Sequence, residues 1–262
     1  MKTYLIALLG EIRKGLLISW TYKFNQLISL LTLGFIFFVI VFFMGDGKFD
    51  PDKIASALIG YLVWMYVVSA LSDLTYGLRA EISAGTLEQL SMSPATVGLL
   101  LFGRVMTNLI ITTLQVVVMG TIVLSLLNVR ISWRIEALPA LLITFIGILG
   151  FGYIVAGATL LFKQLESLTN LLNNALAFLN GAFLPISAMP AWLASISMTL
   201  PSTSGIIVIR AITLEGRSLL DTWQDGSLVA LVANSVLYLL MGLGIFILCE
   251  RIAKNRGSLG QY

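Results

Sequence analysis

The sequence predicts an all-α membrane protein: six transmembrane helices preceded by an amphipathic helix lying in the membrane interface. Three observations carry this reading. Of the 262 residues, 58% are hydrophobic and only 11% charged, whereas an ordinary globular domain is about 25% charged. Mean hydropathy is +0.96, more apolar surface than a water-soluble fold of this length can bury. The apolar residues also fall into runs of the length that crosses a bilayer core of about 30 Å, roughly 20 residues each. The whole chain, 1–262, reads as one transmembrane domain with no room for a sizeable soluble one.

Residues 2–22 carry Tyr4, Leu5, Leu8, Leu9, Ile12, Leu16 and Leu17 at helical spacing, interrupted by Lys2, Glu11, Arg13 and Lys14. That pattern predicts a helix lying in the interface, with Trp20 and Tyr22 at headgroup level. No short apolar region followed by a small-residue cleavage site marks a removable signal peptide. The first span is expected over 24–44, free of charge, and ends at the turn-rich Gly45-Asp46-Gly47-Lys48. The second is expected over 54–76, with Asp73 at its end, and the third over 97–127, with Arg104 in an interfacial turn. The fourth, 137–162, contains Gly147, Gly150, Gly152, Ala156, Gly157 and Ala158. Small residues let helices approach closely in lipid, either within the chain or between subunits.

The fifth span is expected over 167–185. Pro185, Pro190 and Pro201 then fall within 17 residues, a spacing that one straight helix cannot accommodate. Residues 186–213 stay apolar apart from Arg210, and broken backbone at membrane depth needs protein or a water-filled cavity around it. A re-entrant helical pair is expected there, on the outer side. Glu215 to Asp225 reads as a polar loop and 228–248 as the last span. With both termini inside, ten of the sixteen Lys and Arg are cytoplasmic and six are outside, which favours that orientation.

Chemistry is sparse. There is no His and a single Cys, Cys249, so imidazole catalysis, imidazole metal ligation and an internal disulfide are excluded. The thirteen acidic residues all lie in loops or near span ends, Asp73 being the nearest to the membrane interior. A proton- or sodium-coupled carrier needs ionisable groups near midplane. No phosphate-binding Gly-x-x-x-x-Gly-Lys-Ser/Thr loop is present either. Uphill transport would therefore draw its energy from another polypeptide acting on a feature outside the membrane.

The island between spans two and three is such a feature. Gly85 breaks the preceding helix, Thr86 and Gln89 can close a capping box, and Pro94 ends the segment. The residues alone leave two readings, a capped surface turn or a short isolated helix over 86–93 that a partner could grip. Glu81-x-x-x-Gly85-Thr86-Leu87-Glu88-Gln89-Leu90-x-x-x-Pro94 resembles the cytoplasmic motif of type-2 ABC exporter permeases. The stretch Asn180-Gly181-Ala182-Phe183-Leu184-Pro185-Ile186-Ser187-Ala188-Met189-Pro190-Ala191-Trp192-Leu193, followed by Leu200-Pro201, resembles the same family's fifth helix running into external re-entrant helices.

The resemblance implies that Glu81, Gly85, Thr86, Leu87, Glu88, Gln89, Leu90 and Pro94 form a coupling helix that docks on a separate ATP-binding cassette ATPase. Residues 2–22 would be a connecting helix that also touches it. Two permease copies would pair, a homodimer being the simpler case, above two ATPases. ATP and Mg would bind the ATPases, with no cofactor or metal on this chain. Phe183, Pro185, Met189, Pro190, Trp192 and Pro201 would belong to the outer gate. Asn108, Gln115, Asn173, Asn174 and Asn180 either line the path or hydrogen-bond between helices. The expected function is ATP-driven export of a drug, antibiotic or lipid-like amphiphile from the inner membrane of a prokaryote, without nucleic acid and without an ATPase site on this chain. A polysaccharide or lipid-linked glycan exporter, and from another class a stand-alone secondary carrier, are the alternatives.

Overall fold

The structure, a computed structural model, describes residues 2–45, 47, 49–85, 97–129, 131–132, 134–162 and 166–255. The described residues are helical, without strands. Helix α1 (Lys2–Thr21) gives way at Tyr22 to α2 (Lys23–Met44). Helix α3 (Pro51–Ser83) has 33 residues, about 50 Å at 1.5 Å per residue. The apolar stretch 54–76 therefore lies inside a longer rod, and Asp73 is interior to the helix rather than at its end. Good helix formers carry the backbone on until Gly85, whose φ of +67° only glycine adopts freely.

Helix α4 (Val97–Leu127) and α5 (Ala137–Phe162) follow. Among the described residues, five helices are long and apolar enough to cross a membrane: α2, α3, α4, α5 and α10 (Ser227–Asn255). The fifth apolar segment departs from expectation. Helix α6 spans Glu166–Leu179, 14 residues or about 21 Å, and stops short of 185. Gly181, at φ +75°, turns the chain, and the Asn180 side-chain carbonyl accepts the Ala182 N–H at 3.0 Å.

The prolines then start helices instead of interrupting them. Pro185 precedes a 3-10 turn, Ile186–Ala188, and Pro190 precedes α7 (Ala191–Thr199). Pro201 is the first residue of α8 (Pro201–Thr213), where its missing N–H has no intrahelical role. The pair α7 and α8 bends by 89°. The expected polar loop 215–225 contains a further short helix, α9 (Leu219–Gln224), closed by a capping box. The Asp221 carboxylate accepts the Ser218 N–H at 2.8 Å, and Ser218 Oγ accepts the Asp221 N–H at 3.1 Å. These bonds hold the Asp221 carboxyl below the usual carboxylate range.

The core forms around α3, α5 and α8. In the most apolar window of α3, 83% of residues are buried, against 11% in α2, so α3 is central and α2 peripheral. Most of α8 is buried. The small residues of α5 serve packing within the chain. A Cβ on Gly150 would lie 2.3 Å from main-chain atoms of Tyr238 and Leu239, and one on Gly242 would lie 2.0 Å from Gly150 O. Helices α5 and α10 thus meet backbone to backbone. Gly147 likewise faces Pro201 and Ser235, and Gly205 of α8 faces Thr144.

Gly150→Ala is expected to destabilise the folded chain by about 1–3 kcal/mol through overpacking. Gly244→Ala, where a Cβ meets nothing within 4 Å, should be neutral or stabilising. Thermal unfolding of the purified chain, followed by tryptophan fluorescence, checks the contrast.

Candidate functional site

Two arginines, one near each end of α3, organise the polar contacts of the bundle. Arg104 sits on α4, soon after the island's C-terminal root. Its Nε donates to Glu11 Oε1 of α1 at 3.0 Å, its Nη1 to Gly77 O of α3 at 3.0 Å, and its Nη2 to Glu81 Oε1. The three charged side chains are only 15–20% exposed. Lys14 adds a second cation 3.5 Å from Glu11. Close backbone approach makes room for the network: Gly103 faces Leu8 and Glu11, and Gly15 faces Thr107. One guanidinium therefore ties together α1, the end of α3 and the start of α4, all at the base of the island.

Glu81 is thus a structural ligand of Arg104, and Gly85 closes α3 in its left-handed turn. Thr86, Leu87, Glu88, Gln89, Leu90 and Pro94 lie outside the described residues.

Arg210, on α8, serves the other end. Its Nε and Nη2 donate to Ser56 O at 3.0 and 2.7 Å, Nη1 to Gly181 O at 2.9 Å, and Nη2 to Ala182 O at 3.1 Å. The described residues offer it no carboxylate; the charge is met by main-chain carbonyls alone. Gly60 permits this, because a Cβ there would fall 2.5 Å from Ala182 Cα and 2.8 Å from Arg210 Nη2. The turn after α6 is clamped between α3 and α8.

Around this clamp the expected gate residues divide. Phe183 is buried, its ring 5.6 Å from Tyr61, 6.2 Å from Trp64 and 6.3 Å from Phe178. Met189 is buried, and its sulfur accepts the Ser197 hydroxyl at 3.4 Å. Pro201 is buried where α8 starts, Pro185 and Pro190 are exposed, and Trp192 is 67% exposed. Phe183 and Met189 are core residues, and Trp192 points away from that core.

The five candidate path residues separate as well. Gln115 donates to Gln26 Oε1 across α4 and α2 at 2.9 Å. Asn173 Nδ2 donates to Ser72 Oγ at 3.1 Å, and its main-chain carbonyl accepts Trp64 Nε1 at 3.1 Å. Asn180 is spent on the turn. Asn108 lines a polar cavity between α1, α3 and α4, and Asn174 is exposed. Asn173 Oδ1 and Asn180 Nδ2 have no partner among the described residues.

Sequence reasoning missed a ladder between α3 and α6. Thr169 donates to Thr75 at 3.2 Å and Tyr76 to Asn170 Oδ1 at 2.9 Å, beside the Asn173–Ser72 bond. Its signal was present: Ser72, Thr75 and Tyr76, like Thr169, Asn170 and Asn173, recur at three- and four-residue spacing, one helical face each.

Arg104→Met removes the cation shared by two largely buried carboxylates and should cost at least about 2 kcal/mol. Adding Glu11→Gln and Glu81→Gln should recover at least half of the loss in thermal midpoint.

The sequence model of the family described as ABC-2 type transporter matches residues 7–214. No curated protein matches the chain.

Proposed function

Since the chain belongs to the ABC-2 type transporter family, and is therefore the membrane-spanning permease component of an ABC transporter, we propose that it exports an amphiphile when a separate ATP-binding subunit acts on the island after Gly85. The family implies such a subunit, and the permease is not itself the ATPase. In this reading two copies of the chain, a homodimer, pair above two ATPases in the inner membrane of a prokaryote, with the island and both termini in the cytoplasm. ATP and Mg act on the ATPases. The cargo is a drug, antibiotic or lipid-like molecule.

The observation that carries the reading is the Arg104 clasp. The island hangs between the end of α3 and the start of α4, and the clasp joins both roots to α1 through Glu81, Gly77 and Glu11. A push on the island would move three helices as one body. Helix α3 then offers an unbroken lever of 33 residues to the Arg210 clamp, where the turn at Gly181 leads into the bent pair α7 and α8. Displacement at one end would be felt where the outer gate is proposed. Leu87 and Leu90 would supply the apolar grip for the ATPase groove, and Thr86, Glu88 and Gln89 its polar contacts. The exposed Asn174 on α6 would face the path between the two copies, because an amide facing hydrocarbon without a partner is costly.

Co-expression of the chain with its ATP-binding subunit, followed by reconstitution, tests this. The pair is expected to co-purify and to export an amphiphile only with ATP. Leu90→Asp or Glu88→Ala should reduce stimulated ATPase activity and export by about tenfold, while insertion and thermal stability stay unchanged. Solute flux by the chain alone would overturn the reading, as would full coupling in both variants.

A further inference from the structure

We propose that the fissure between α4 and α5 holds one acyl chain of an anionic phospholipid, with the lipid phosphate on Arg134. Helices α4 and α5 follow one another in sequence and both pack on α3, yet they hardly touch each other. The gap between them holds two cavities, of about 120 and 170 Å³. Val63, Tyr66, Leu138 and Leu141 line both, so the two adjoin. Buried Ile59, Leu62, Val63 and Tyr66 of α3 form the floor, and exposed Leu138 and Leu142 of α5 stand at the lip. The fissure therefore opens on the surface that faces lipid.

The walls select hydrocarbon. Each hydroxyl on them donates within the chain: Tyr66 to Thr113 Oγ1 at 3.1 Å, Thr113 to Leu109 O at 2.7 Å, Thr144 to Ala140 O at 2.7 Å and Thr213 to Ile209 O at 2.7 Å. Arg134 apart, the remaining lining is aliphatic or aromatic, so a polar ligand would find no wall donor. The dimensions select a single tail. From Ala137 to Ile148 the wall formed by α5 rises about 16 Å, one leaflet's share of a hydrocarbon core about 30 Å thick. A helix with its side chains is about 10 Å across, too wide for cavities this small, so a spanning helix of a second copy does not fit.

The charge stands at the end where a headgroup would be. Arg134 lines the cavity nearer the start of α5, is exposed, and is the sole charged residue in either lining. Among the described residues its side chain has no hydrogen bond and no ion pair. Its guanidinium lies beside Gly216, 3.5 Å from where a Cβ there would stand. The carboxylates on that loop, Glu215 and Asp225, are taken by Arg217. Glu136, two positions on, lies outside both linings. A guanidinium presents five donors in a fork that matches phosphate. A phospholipid with one tail in the fissure brings its phosphate to the level of Arg134.

The test uses the full chain alone, without an ATPase, so its failure is distinct from failure of the export reading. Phosphatidylglycerol carrying a photoreactive diazirine on one acyl chain is mixed with the protein in dodecyl maltoside and irradiated, and the labelled residues are mapped by peptide mass spectrometry. Label is expected to concentrate on Leu109, Leu138, Leu141 and Leu142. Val116→Phe, which fills the fissure from α4, should remove most of it. Arg134 is exposed and unpaired, so Arg134→Gln leaves the fold intact; it should weaken capture of phosphatidylglycerol about tenfold, as for loss of a charged hydrogen bond. A diacylglycerol probe with the same tails should label wild type and Arg134→Gln equally. Elution profile and thermal midpoint confirm that each variant folds. Label spread evenly over lipid-facing residues such as Leu31 and Phe35 of α2, no label in the fissure, or equal capture of phosphatidylglycerol by wild type and Arg134→Gln overturns the proposal.

Discussion

A long buried helix held by one guanidinium near each end is the constraint on which the rest of this bundle depends. From Ser56, where Arg210 donates, to Gly77, where Arg104 donates, α3 rises about 32 Å, close to the thickness of a hydrocarbon core. The two arginines are satisfied in opposite ways. Arg104 is neutralised by two carboxylates and sits where three helices converge. Among the described residues, Arg210 meets only carbonyl dipoles, and through them it locks the turn after α6. The planar fork matters in both, since a lysine presents no fixed set of donors that could reach carbonyls on two different segments.

Glycine positions decide how closely the remaining helices gather. Without a hydrophobic drive between helices in lipid, contact area and backbone approach do most of the work. The α5–α10 seam, with Gly150 and Gly242 touching backbone to backbone, is the densest such contact. Gly60 has a different role, clearing space for a side chain and a turn that meet α3 from outside. The result is a firm centre of α3, α5, α8 and α10, with α2 held at its edge by Phe37 and Val41, the Tyr61 hydroxyl on Leu33 O and the Gln115–Gln26 bond.

Much of the fold was legible from local pattern. The apolar runs marked the long helices, Gly85 marked the end of α3, and the prolines marked the broken segment. What local pattern could not supply were partners far away in sequence. Arg210 read only as the lone charge in an apolar re-entrant segment, because Ser56 stands 154 positions before it. Arg104 read as interfacial because Glu11 and Glu81 are distant. The end of α6 was misjudged for a related reason: Ala182 and Phe183 are apolar because they are buried in protein around the clamp, and apolarity does not distinguish that from spanning lipid. The helix after Ser218 was missed because an aspartate took the place that glutamate more often fills in a capping box. The family resemblance suggested a reading of the island, and the contacts of Arg104 with Glu11, Gly77 and Glu81 lie where its two roots leave α3 and α4.

The Arg210 clamp also has a temporal side. Ser56 leaves the ribosome 154 residues before the side chain that will bind its carbonyl, and at about 5–20 residues per second that interval lasts roughly 8–30 s. For most of it, the start of α3 must wait in the membrane or its insertion machinery before the Gly181 turn is made, 29 residues ahead of Arg210. The chain therefore completes its central helix early and fastens it late, so the accuracy of assembly rests on α3 remaining undisturbed until α8 arrives.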